Sequence, residues 1–300
     1  MTDLAALASP RSLGHLGVMA VPVPKTYKLF VGGKFPRSES GRSFAPQQSP
    51  GINVARGSRK DLRDAVVAAR AGLAAWSGSS AYLRGQILYR VAEMLQSRAD
   101  AMQAELRLSG VAAAAAAKEV DLAISLTTWY AGLCDKLQSL LGSQNAVQGP
   151  FFNFSTVEPT GVIGVLAPPR PSLVGVLALA LPLLAGGNSV VALVSEAAPC
   201  AGLALGEICA SSDVPAGAIN LISGLRDELA SHFASHRDID GLLVAGKPDA
   251  ALTSAAADNC KRVRFCDLAA TDWTKAERLR SLLFVEPFVE LKTLWHPVSQ

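Results

Sequence analysis

A strand-like run, Gly161-Val162-Ile163-Gly164-Val165-Leu166-Ala167, ends in Pro168-Pro169-Arg170-Pro171-Ser172 before a second apolar run begins. The loop beyond the carboxyl end of a buried strand is where α/β proteins keep their chemistry. Here it holds three prolines and one arginine, with no amide or nucleophilic group apart from Ser172. Other reactive residue types are dispersed. Cys134, Cys200, Cys209, Cys260 and Cys266 are odd in number and lack CxxC spacing, which reads as buried reduced thiols and a cytoplasmic setting. His232 and His236, at i and i+4, could share a helix face as metal ligands, but no third ligand follows at sensible spacing, so no metal site is expected. The glycines between Gly217 and Gly224 do not meet the G-x-G-x-x-G fingerprint of ordinary dinucleotide folds.

The elements that must position these groups are legible from periodicity. The chain has 300 residues, half of them hydrophobic and 18% charged, enough to bury one large core or two modest ones. Lys plus Arg (28) against Asp plus Glu (25) leaves +3, too small and dispersed a balance for a nucleic-acid surface. The longest apolar run, Leu173 to Ala185, is broken by Gly175 and Pro182 and is too short to span a bilayer. Residues 1–25 read as a loose tail without signal-peptide order. Tyr27 to Phe35 reads as a hairpin around Gly32-Gly33. Helices are predicted after a Ser58 cap, from Tyr82 to Leu108 and from Ala115 to Leu141. From Phe151 onward short β-branched runs at 161–166, 189–194, 218–222 and 239–244 alternate with helical stretches. That alternation predicts an α/β class, a doubly wound, mainly parallel sheet. Residues 271–283 could form one charged helix, and Phe284 to Trp295 an alternating strand with no obvious local partner.

In order along the chain, these segments resemble the aldehyde dehydrogenase superfamily. Leu29-Phe30-Val31-Gly32-Gly33-Lys34 looks like its opening hairpin, Ala68-Ala69-Arg70 through Trp76 its first helix, and Trp129-Tyr130-Ala131-Gly132 the aromatic pair after its long helix. Glu158-Pro159-Thr160-Gly161-Val162 is similar to E-P-x-G-V, Pro182 to Asn188 to P-A-L-A-x-G-N, and Pro215 to Asn220 to P-x-G-V-x-N. Glu290-Leu291-Lys292-Thr293-Leu294-Trp295 looks like the family's E-x-K-T-V-W oligomerisation strand. The resemblance implies a nucleotide-binding domain over residues 26–280, oligomerisation strands at 148–158 and 281–300, and no room between them for the family's separate catalytic domain.

Carried over role by role, the family's chemistry fails here. Its nucleophile lies in G-Q-x-C, which is absent; Cys266 is the only nearby thiol. Its oxyanion donor is the asparagine of P-W-N-F-P, where this chain has Arg170, and a guanidinium does not reproduce a compact neutral amide. Its base, in E-L-G-G, has as nearest equivalent Asp267-Leu268-Ala269-Ala270. Its ribose-binding K-P-x-E appears as Leu193-Val194-Ser195-Glu196, and its F-T-G-S as Val244-Ala245-Gly246-Lys247. No catalytic residue is therefore expected. Glu196 and Gly246 are the residual cofactor-binding candidates, and NAD binding is expected to be weak or lost.

The resulting expectation is a non-catalytic aldehyde-dehydrogenase-like subunit that assembles with a full-length aldehyde dehydrogenase through Phe284 to Trp295 and Phe151 to Val157, and stabilises or regulates it. A self-assembling NAD(H)-sensing module and a residual NAD-dependent aldehyde oxidoreductase are the alternatives. Neither nucleic acid nor membrane is an expected partner.

Overall fold

The computed structural model describes residues 25–46, 49 and 51–298, so the expected tail lies, apart from Lys25, outside the described residues. Strands β1 (Thr26–Tyr27), β2 (Ser43–Phe44) and β3 (Asn53–Ala55) form a small sheet in the order β1-β3-β2. The glycine turn forms as expected: Gly32 and Gly33 hold φ of +58° and +74°, left-handed values that suit a two-residue hairpin turn. Its arms are short. Val31 bridges Lys34, while Phe30 pairs with Leu221 and pins the turn to the main sheet.

Helices α1 (Arg59–Gly78), α2 (Ala81–Ser97), α3 (Ala99–Leu108), α4 (Ala113–Leu133) and α5 (Leu137–Leu141) follow. Ser58 caps α1 in a capping box: its hydroxyl accepts from Lys60 and Asp61 N–H, and the Asp61 carboxylate accepts from Ser58 N–H. The single helix expected from Tyr82 to Leu108 is two. The chain leaves helical geometry at Arg98 (φ −110°, ψ 22°), which lets both halves pack on α4.

Strands β4 (Ser143–Asn145) and β5 (Phe151–Pro159) lead into the alternating region: β6 (Val162–Leu166), α6 (Ser172–Ala185), β7 (Ser189–Leu193), α7 (Pro199–Ala210), β8 (Ile219–Ile222), α8 (Arg226–Ser235), β9 (Gly241–Ala245), α9 (Ala250–Ala257) and β10 (Arg262–Cys266). The five strands are all parallel, in the order β10-β9-β6-β7-β8. Alternate residues of each strand enter two cores. Ile163, Val165, Val190 and Ala192 face α6 and α7 and, beyond them, α2 to α4. Val162, Leu166, Val191 and Leu193 face α1, α8 and α9. Every residue of α6 is buried, because the helix lies between the sheet and α4, and an all-round apolar helix is stable only in such a place. No helix among the described residues is long and apolar enough to cross a membrane.

The C-terminal part departs from expectation. Residues 271–283 form turns and one short helix, α10 (Ala276–Leu279), and Phe284 to Phe288 wind through two 3₁₀ turns. Val285 and Phe288 are buried in the core, Phe288 against Gly241 and Ile163, and this anchoring holds the segment out of strand geometry. The strand itself, β11, is Val289–Pro297, and it has a partner within the chain. It pairs antiparallel with β5 from Val289↔Pro159 to Pro297↔Phe151. The two strands read as needing separate partners satisfy one ladder, in a third sheet ordered β11-β5-β4.

Candidate functional site

In the parallel sheet β6, β7 and β8 proceed in one direction and β9 and β10 lie on the other side of β6, so the strand order reverses between β6 and β9. The crevice outside the carboxyl ends at such a reversal is where open α/β sheets bind ligands. The loop Pro168 to Ser172, Glu196, Arg226 and Gly246 all lie at this edge, because each follows the end of a strand. Sequence reasoning placed the first, second and fourth there and missed Arg226.

The loop after β6 is turned in on the protein. Arg170 Nη2 donates to Ser109 O at 2.6 Å, just beyond α3. Ser172 is buried, and its hydroxyl has no hydrogen-bond partner and therefore no base to activate it. The N-terminus of α6 is occupied by Glu119 of α4, whose carboxylate accepts from Leu173 N (2.8 Å) and Val174 N (3.2 Å). Burial raises the Glu119 carboxyl above its ordinary value, against those hydrogen bonds and the charge of Arg170.

The other helix starts at this edge are closed in the same way. Glu196 Oε2 accepts from Arg226 N–H at 2.8 Å, capping α8. Asp249 Oδ1 accepts from Ala251 N (2.8 Å) and Leu252 N (3.1 Å), capping α9. Ahead of α7, Ser195 Oγ donates to Pro169 O (2.7 Å) and accepts from Ala198 N (3.0 Å). A helix N-terminus attracts anions through unsatisfied N–H groups. Here internal carboxylates already meet those of α6, α8 and α9.

Arg226, the first residue of α8, lays its guanidinium across the reversal point. Nη1 donates to Ala167 O at 3.0 Å, beyond β6, and Nη2 to Ala245 O at 2.8 Å, at the end of β9. Burial draws its pKa below the ordinary arginine value. Gly246 (φ +148°) passes beside it, and a side chain at 246 would meet Arg226 Nη2 at 3.6 Å. A cleft of about 440 Å³ remains, walled by Phe44, Pro169, Leu193, Val194, Leu225 and the exposed Glu196. A larger cleft, about 720 Å³, lies between α2 and the end of α4, away from this edge.

NAD, implied by the resemblance, does not fit these residues. Leu193 is 3% exposed and offers no donor to a ribose. Asp249 already caps the α9 N–H groups, and Arg226 bridges the ends of β6 and β9 and lines the cleft. The remaining candidates do not converge on the cleft. Cys266 ends β10 at the sheet edge, half-buried, with burial pushing its thiol up to about 11, far from the thiolate a nucleophile needs. Asp267 Oδ1 accepts from Ala269 N–H in a local turn. Asp238 N–H donates to His236 Nδ1 at the end of α8, and among the described residues no cluster of three or more His, Cys, Asp or Glu could hold a metal.

The aldehyde dehydrogenase family profile matches residues 37–265. Mitochondrial benzaldehyde dehydrogenase of Antirrhinum majus is 31% identical over 237 residues, 76% of this chain and 44% of that protein. Human mitochondrial aldehyde dehydrogenase is 29% identical over 273 residues, 84% of this chain and 52% of that protein. The crystal structure of betaine aldehyde dehydrogenase from Staphylococcus aureus, in complex with NAD+, superposes with a TM-score of 0.74 at 23% identity, covering 80% of this chain and 49% of that one, a likeness of fold. The chain spans about half the length of the curated relatives it matches. From its α/β sheet, its ordered motifs and these matches, the chain belongs to the aldehyde dehydrogenase family.

Proposed function

We propose that this chain is a non-catalytic subunit that assembles with a full-length aldehyde dehydrogenase, and stabilises or regulates it, in a cytoplasmic setting. The observation that carries the reading is the β11-β5-β4 sheet. The ladder register places Phe151, Val157, Leu291 and Trp295 on one face and Phe152, Phe154 and Leu294 on the other. Phe151, Phe152, Leu291, Leu294 and Trp295 are each at least 37% exposed. A sheet that exposes aromatic and aliphatic side chains on both faces, with an open edge at β11, is the kind of surface that proteins cover by association. The partner's catalytic residues lie outside this chain on this reading. The loop after β6 supports it, since Arg170 donates to Ser109 O, Glu119 caps α6 and the buried Ser172 hydroxyl has no base beside it.

The test is co-expression with a full-length aldehyde dehydrogenase, followed by mass measurement by light scattering and circular dichroism. A mixed complex is expected for the wild type. Trp295→Ala, which removes an aromatic side chain packed edge-on to Phe151 at 5.7 Å, is expected to weaken it by about 2 kcal/mol or more, with the fold intact. A chain that stays monomeric, or assembles only with itself, overturns the mixed-subunit reading.

A further inference from the structure

Arg226 differs from the other groups at the sheet edge in what it satisfies. The carboxylates of Glu119, Glu196 and Asp249 accept from N–H groups at helix starts. Arg226 instead reaches carbonyls on two strands that diverge at the reversal point, 59 and 19 residues away in sequence. A planar guanidinium presents donors in a fixed fork, and here two of its nitrogens are aimed at those two oxygens. Its own backbone is fixed by Glu196. The side chain is thus held at its base and at its tip, with the cleft on one side and Gly246 on the other.

We infer that Arg226 is the residue that closes this crevice to dinucleotides, as an internal occupant of the space between the ends of β6 and β9. Ligand entry requires the guanidinium to leave both carbonyls, so the competent form is a minor one and apparent affinity falls by its population. Leu193 alone does not account for the closure. Both line the cleft; Leu193 only removes one donor, whereas the Arg226 guanidinium spans the gap between the ends of β6 and β9. Truncating Arg226 leaves Ala167 O and Ala245 O facing an open cleft that water can enter, and Gly246 still permits close approach.

This inference rests on reading the cleft as the relic of a dinucleotide site, and its test separates the two. NAD+ and ADP-ribose are titrated calorimetrically into the wild type, Arg226→Ala, Leu193→Lys and the double variant, with circular dichroism as the fold control. The wild type and Leu193→Lys are expected to give no saturable heat. Arg226→Ala is expected to bind NAD+ at least about tenfold more tightly than the wild type, and the double variant more tightly still. Arg226→Gln, which keeps one donor on a shorter side chain, serves if the alanine variant unfolds, and is expected to fall between. Equal NAD+ affinity in the wild type and Arg226→Ala overturns the closure. Folded Arg226 variants that bind nothing, with or without Leu193→Lys, overturn it too, while leaving the assembly of the subunit untouched.

Discussion

At the scale of single residues, the carboxyl edge of the parallel sheet is taken up by contacts within the chain. Glu119, Glu196 and Asp249 occupy helix N-termini, and Arg226 bridges the ends of β6 and β9. The expected enzymatic outcome follows: the purified chain, given an aldehyde and NAD+, forms no NADH above background. Loss of an oxyanion donor alone lowers turnover by about a hundred- to a thousandfold, and a Cys266 thiol with a pKa near 11 is protonated at neutral pH. Activity that survives removal of any co-purifying dehydrogenase and disappears in Cys266→Ser contradicts this. The absence of G-Q-x-C and the arginine in the family's asparagine position were legible in the sequence, because each is a local departure from a motif. Arg226 was not. Its role depends on carbonyls of β6 and β9 that only the folded sheet brings to it.

Elements with strong internal periodicity were the most legible. The run Leu173 to Leu184 became α6, and the four β-branched runs became β6 to β9. β10 was missed because Arg262 and Arg264 alternate with Val263 and Phe265, a pattern that suits an edge strand with one charged side rather than a buried one. Residues 271–283 failed as one helix because Trp273 is drawn into the core from a turn and Leu279 from the end of the short α10, and the O–H of Tyr130 donates to Leu279 O at 2.8 Å. Between α9 and β10, Lys261 anchors α8: its buried ammonium donates to His236 O at 2.6 Å and Phe233 O at 3.3 Å. Burial lowers its pKa to about 8 from 10.5. The unfolded chain therefore holds this proton where the native state has lost it, and the Lys261 contribution to stability rises with pH between about 8 and 10.5. Urea unfolding across that window is expected to show the rise in the wild type and a flatter profile in Lys261→Met. Parallel profiles contradict the assignment.

For the whole molecule, the consequence is a division between a closed edge and an open sheet. The parallel sheet buries both faces under helices, as all-parallel sheets require, whereas β11-β5-β4 leaves aromatic and aliphatic side chains bare. The expected partner was inferred from strands read as lacking one within the chain; the fold pairs them with each other and leaves side chains exposed on the sheet they build. Assembly through this sheet is the central claim, and amide hydrogen exchange of the chain alone and in complex with a full-length aldehyde dehydrogenase tests it most directly. Protection on complex formation is predicted in Val289 to Pro297 and Phe151 to Val157, with the amides at the carboxyl edge near Arg226 unchanged. Protection confined to that edge or to the helical layers, with β11 exchanging as in the free chain, would contradict it.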